Sequence, residues 1–149
     1  MNLYSKPIAS LFGATAVVVA LAGCGMMPKF SEVSMNVPLS GASQVPAVVT
    51  PGTGTAEVKV NKSTNMLSWK VNYSGLSGPA TAGHFHGPAA AGQNAGVVVP
   101  FQGAMASGMT GQATLTAAQM ADLMAGKWYV NIHTARNPGG EIRGQVTPR

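Results

Sequence analysis

Charge and cysteine are both scarce in this chain. Only 9% of its residues are charged, and Cys24 is its single cysteine. One thiol cannot form an internal disulfide, so the fold must be held by its core. Four acids in all, Glu32, Glu57, Asp122 and Glu141, leave almost no room for paired-carboxylate chemistry. The net charge of +5 comes from nine scattered Lys and Arg. They form no basic run and are not interleaved with aromatics, so nothing here points to nucleic-acid binding. A phosphate loop, a dinucleotide fingerprint and a nucleophile elbow are also missing. Hydrophobic content of 46% with low net charge excludes a disordered chain. At 149 residues, one domain is expected.

The first 23 residues carry one lysine, no acid and a short apolar run that includes Ala16-Val17-Val18-Val19-Ala20-Leu21. This is the build of a removable export signal and is short for a membrane span. It ends in Leu21-Ala22-Gly23-Cys24, which resembles the lipobox of bacterial lipoproteins. The resemblance implies that Cys24 is acylated and becomes the new N-terminus. Lipidation also removes the liability of a lone exported thiol. Residues 24–31 then form a tether, and residues 32–149 the folded domain. By the same resemblance, Gly25 in place of an acid suggests sorting to the periplasmic face of an outer membrane where one exists, and otherwise the cell surface. The membrane, reached through the lipid, is thus the first expected partner. Loss of Lys6 with the signal leaves eight Lys and Arg against four acids, a net +4.

From residue 33 the pattern has period two, the signature of half-buried strands. Val33, Met35, Val37 and Leu39 alternate with polar residues; so do Ala56, Val58 and Val60, and Leu67, Trp69, Val71 and Tyr73. Asn61 to Asn65 is a polar turn between the last two runs. Further strands are expected at 80–87, 95–101, 111–115, 127–134 and 141–147. Pro38 suggests that the first strand lies at a sheet edge. Thr116-Ala117-Ala118-Gln119 is a capping-box pattern, with Leu115 and Met120 spaced as a hydrophobic staple, so a helix is expected at 117–125. Gly126 is placed to end it. The fold class is therefore all-β: a Greek-key β-sandwich or flattened barrel of about eight strands with one short helix.

The three histidines fall in two segments, Gly83-His84-Phe85-His86-Gly87 and Trp128-Tyr129-Val130-Asn131-Ile132-His133-Thr134. On strands, His84 and His86 share one face and Phe85 takes the other. In the second segment Trp128, Val130 and Ile132 form the apolar face, and Tyr129, Asn131 and His133 the polar one. All three histidines thus sit opposite the apolar residues. If the two strands are neighbours in register, the imidazoles converge, and a three-histidine site suits copper or zinc. Glu141 and Arg143 are expected on the outward side of the last strand, opposite Ile142 and Val146. There Glu141 would accept a ring N–H and orient a ligating histidine, with Arg143 beside it. The alternative is a surface hydrogen-bond network of the same groups that locks the loops. Met105 and Met109 lie in a Gly-rich loop where thioethers suit Cu(I), although apolar packing accounts for them more simply.

These segments resemble the CHRD domain family, named for chordin and widespread in bacterial exported proteins. The resemblance starts at Leu39-Ser40-Gly41-Ala42-Ser43-Gln44-Val45-Pro46. It runs through Tyr73-Ser74-Gly75-Leu76, His84-Phe85-His86-Gly87-Pro88 and Leu115-Thr116-Ala117-Ala118-Gln119 to the block Leu123–Thr134. It closes at Asn137-Pro138-Gly139-Gly140-Glu141-Ile142-Arg143-Gly144-Gln145, covering about residues 35–147. It implies an immunoglobulin-like or superoxide-dismutase-like sandwich and favours an interaction role over an enzymatic one. His84-Phe85-His86 also resembles the His-x-His pair of copper-zinc dismutases. A fourth copper histidine, the zinc cluster and the disulfide of that family have no counterpart in this chain, so dismutase activity is not expected. The reading is a lipid-anchored, non-catalytic binding or envelope module with a protein or metal-ion ligand. The alternative is a periplasmic copper- or zinc-binding protein using His84, His86 and His133.

Overall fold

The computed structural model describes Met1 and residues 31–148. The export signal, Cys24 and the tether up to residue 30 lie outside the described residues. Among the described residues, eight strands and one α-helix follow in order: β1 (Glu32–Ser40), β2 (Thr53–Asn61), β3 (Met66–Ser74), β4 (Ala80–His86), β5 (Val97–Pro100), β6 (Met109–Thr114), α1 (Ala117–Met124), β7 (Trp128–Thr134) and β8 (Ile142–Val146). They form one sheet in the order β5-β4-β7-β8-β1-β2-β3-β6, with every pairing antiparallel. The sheet folds over on itself into a flattened barrel. Its two halves, β5-β4-β7-β8 and β1-β2-β3-β6, share one core.

Alternation builds that core as the sequence implies. Val37, Val58, Val71, Phe85, Val130, Ile132, Ile142 and Val146 are all buried in a single apolar cluster. Trp69 of β3 stacks on Phe101 at 4.9 Å between ring centroids and meets Phe85 of β4 edge-on at 5.3 Å. These aromatic pairs tie one half of the barrel to the other. Trp128 and Leu123 complete the packing, and all of these residues lie within 32–146. Met105 and Met109, weighed above as thioether ligands, pack against the same cluster.

Local signals explain the joints. Asn61 Oδ1 accepts the N–H groups of Ser63 and Thr64, and Asn65 adopts a left-handed φ of 54°, which closes the β2–β3 turn. At α1 the Thr116 hydroxyl accepts from the Gln119 N–H at 3.2 Å while the Gln119 side chain accepts from the Thr116 N–H at 2.9 Å. That is the reciprocal cap expected, and Gly126 ends the helix with φ 72°.

Pro38 corrects one expectation. Its strand is not at an edge: β1 lies between β2 and β8. The seam with β8 has only one register pair, Ser40 with Arg143. Along most of its length β1 therefore behaves as an edge toward β8, and a proline is tolerated there. Gly144 of β8 lies against the Pro38 carbonyl so closely that a Cβ would overlap it.

Candidate metal centre

The outer face of β4, β7 and β8 carries the chemistry. β7 is buried along its whole length, on both faces. Its inner side chains join the core. Its outer ones, Tyr129, Asn131 and His133, lie beneath three loops, residues 41–52, 87–96 and 135–140. The polar face of β7 is thus as expected, but it is buried rather than at the surface. Glu141 and Arg143, expected on the outward side of the last strand, are 0% and 2% exposed.

Hydrogen bonds from the loops explain how such groups are buried at tolerable cost. Gln44 donates to Asn131 Oδ1 at 2.7 Å, and Asn94 donates to the Val45 carbonyl at 2.9 Å. Glu141 accepts four bonds. Oε1 takes the Thr50 hydroxyl at 2.6 Å and the Ser77 N–H at 2.8 Å; Oε2 takes the Ser77 hydroxyl at 2.6 Å and the Thr134 hydroxyl at 2.7 Å. Burial by itself raises the pKa of this carboxyl. The donors from Ser77, Thr50 and Thr134 outweigh it and hold the pKa down at about 2. Arg143 has neutral partners, Asn94 Oδ1 at 2.9 Å and the Gln93 carbonyl at 2.6 Å, and its guanidinium lies 3.5 Å above the Tyr129 ring. Burial lowers its pKa.

The three histidines converge. In the β4–β7 register Ala82 faces His133, His84 faces Asn131 and His86 faces Tyr129. His133 is thus the diagonal neighbour of His84, within reach of a long side chain. Gly83 and Phe85 turn to the core, and a Cβ on Gly83 would run into the Phe101 ring. One nitrogen from each ring lies within 4.8 Å of the others, and His84 Nδ1 is 3.0 Å from His133 Nε2. Nitrogens sharing one ion at 2.0–2.1 Å bonds stand roughly 3–3.5 Å apart, so small side-chain shifts close the triangle. His86 and His133 are buried, while His84 is partly exposed.

Backbone carbonyls orient two of these rings. His86 Nδ1 donates to the Ala95 carbonyl at 3.0 Å, and His133 Nδ1 donates to the Pro138 carbonyl at 2.9 Å. The expectation that Glu141 orients a ring is therefore corrected, because both of its oxygens are taken by Thr50, Ser77 and Thr134. The charge of Arg143 adds to the lowering of the His86 pKa, while its hydrogen bonds go to loop 87–96 and its guanidinium packs on Tyr129. That ring also stacks parallel on His86, with centroids 4.8 Å apart. The Tyr129 hydroxyl bonds Ala95, so one residue fixes both the ring and the loop. His86 Nε2 is buried and has no hydrogen-bond partner. Burial first, then the neighbouring His133 and His86, lowers the His84 pKa to about 4. Burial likewise leads the lowering at His86. These two rings are neutral at physiological pH, as ligation requires.

The supporting residues Gln44, Thr50, Ser77, Tyr129, Asn131 and Thr134, and the Ala95 and Pro138 carbonyls, were not singled out by the sequence. Gln44, Tyr129, Asn131, Thr134 and Pro138 fall in the blocks that resemble the CHRD family, and Tyr129 and Asn131 were placed on the polar face, but Thr50, Ser77 and Ala95 had no pointer. Comparison with known families then decides the affiliation. The family model for the CHRD domain matches residues 35–146. The chain belongs to the CHRD domain family. Among curated proteins and among solved structures, nothing matches it. The match spans β1 from Met35 through the last residue of β8, so the CHRD domain and the barrel are the same unit. Membership points to a binding module rather than an enzyme. All three histidines and the loop-anchoring pair Glu141 and Arg143 fall inside the CHRD match.

Proposed function

We propose that this protein is a lipid-anchored, exported binding module whose ligand is a copper or zinc ion held by His84, His86 and His133. The observation that carries the metal reading is the buried, partnerless Nε2 of His86, in a cluster whose ring nitrogens lie within 4.8 Å. A buried acceptor without a partner costs free energy unless something fills it. Three imidazoles, none of them hydrogen-bonded to a carboxylate among the described residues, form a borderline donor set suited to Cu(II) or Zn(II). The anchoring part rests on Leu21-Ala22-Gly23-Cys24 at the end of the apolar run. The lipid would hold the domain against the membrane, with the outer membrane favoured where the envelope has one.

A second reading, a protein-binding module, draws on the loops. Residues 41–52 and 87–96 are tied to the sheet by Glu141, Arg143 and Asn131, and Val49 at the tip of the first is fully exposed. Rigid, low-charge loops of this kind suit recognition. One experiment separates the two. The chain without the signal and the lipid-bearing Cys24, residues 25–149, is purified without a histidine tag from medium supplemented with copper or zinc, and its metal content is measured. About one ion per chain supports the metal reading. A metal-free chain that also takes up neither ion on dialysis favours the protein-binding reading.

A further inference from the structure

The hydrogen bonds around the three rings decide more than their position. A carbonyl oxygen only accepts, so the contacts to Ala95 and Pro138 place protons on Nδ1 of His86 and of His133. In a neutral ring the other nitrogen then carries a lone pair. A ligating His133 has to be neutral, so on the metal reading its Nε2 is an acceptor and the group 3.0 Å from it, His84 Nδ1, is the donor. On that reading the hydrogen bonds set all three rings as the Nδ1–H tautomer. Two of them, His86 and His133, already hold a bare Nε2, and that of His86 is buried without a partner. The third presents a proton to the place an ion would take.

Turning the His84 ring over to offer its other nitrogen would give up the approach at 3.0 Å. Keeping the ring where it stands needs only a change of tautomer. Resting on the metal reading above, we infer that the ion is held by a mixed set of nitrogens, Nδ1 of His84 with Nε2 of His86 and Nε2 of His133, and that loading moves the His84 ring proton from Nδ1 to Nε2. One N–H bond breaks and one forms on the same ring, with water as the carrier. The freed Nδ1 lone pair goes to the metal, and the ring stays neutral. His86 and His133 keep their protons and their loop carbonyls. The pinned pair is preset, and the partly exposed His84 closes the site.

The test is nitrogen-15 NMR of the histidine rings in residues 25–149, the mature chain without its lipid-bearing Cys24, before and after one equivalent of Zn(II) at neutral pH. Before zinc, all three rings should show a protonated Nδ1. After zinc, His86 and His133 should keep that pattern with Nε2 shifted, while His84 changes to a protonated Nε2 with Nδ1 shifted. Calorimetry in two buffers of different ionisation enthalpy should show no net proton release. Zinc binding with His84 still protonated at Nδ1, or an Nε2–H tautomer of His84 before zinc, overturns the inference and leaves the metal reading intact. Unchanged spectra for all three rings at saturating zinc overturn both.

Discussion

Glu141 offers the most informative perturbation of the fold. The carboxylate is fully buried and accepts four hydrogen bonds that join loop 41–52, the segment after β3 and the end of β7. Glu141→Gln keeps the shape and removes the charge. The amide nitrogen must face a donor it cannot serve whenever it takes the place of Oε1, which accepts the Ser77 N–H. Losing one such charge-assisted bond costs about 1.5–3 kcal/mol. The pH dependence gives a second handle. A carboxyl depressed from 4.5 to about 2 contributes stability that is present above its unfolded value and is lost as pH falls through that window. His84, whose pKa is also lowered, takes stability away as pH falls between 6.5 and about 4, but it does so in both proteins. Urea unfolding of wild type and Glu141→Gln at several pH values from 7 to 3 isolates the difference. The variant should be weaker at pH 7, and the gap should narrow below pH 4.5. A constant gap across the range would refute the assignment of a buried, ionised Glu141.

Other outcomes follow from the same structure. Ile132→Ala should cost about 2–5 kcal/mol in urea unfolding, because the side chain is fully buried between β4 and β8; a loss under about 0.5 kcal/mol would mean that the faces of β7 are reversed. Gly140→Ala should destabilise by about 1–3 kcal/mol, since φ is +118° and a Cβ would overlap the Asn131 amide; thermal unfolding of the variant checks it. Cys24→Ser should abolish acyl labelling and leave unprocessed or mislocalised precursor, and normal processing with unchanged membrane fractionation would contradict the lipobox reading.

Much of this architecture is legible in the residues. Period-two alternation marks β1, β3 and β7 almost to their ends and the second half of β2, and the Thr116–Gln119 pattern marks α1 to within a residue. Alternation also places the three histidines opposite the core. What alternation cannot say is whether the opposite face meets water. It distinguishes two faces, and a polar face under loops has the same pattern as a polar face in solvent. That is why Glu141 and Arg143 read as outward and prove buried. A physical signal was present. Residues 41–52 and 87–96 contain no charged side chain but are rich in Pro, Gly, Ala and Gln or Asn, a composition suited to lying on protein rather than in water. Pro38 misled for a related reason: sequence shows a residue that breaks ladders but not that the β1–β8 seam has little ladder to break.

The donors to Glu141 and the carbonyls that orient the histidines were out of reach for another reason. Ser77 is 64 residues from Glu141, and Ala95 binds His86 only because the intervening loop doubles back over β4. Such contacts come from topology, not from local pattern.

The central claim is a shared ion among His84, His86 and His133, and isothermal titration at neutral pH tests it most directly. Cu(II) and Zn(II) are titrated into residues 25–149, free of any histidine tag, and into the same chain with all three histidines changed to alanine. The account predicts one site per chain in the wild type and none in the triple variant, with Met105→Leu binding as the wild type does. Equal binding by the wild type and the triple variant would contradict it.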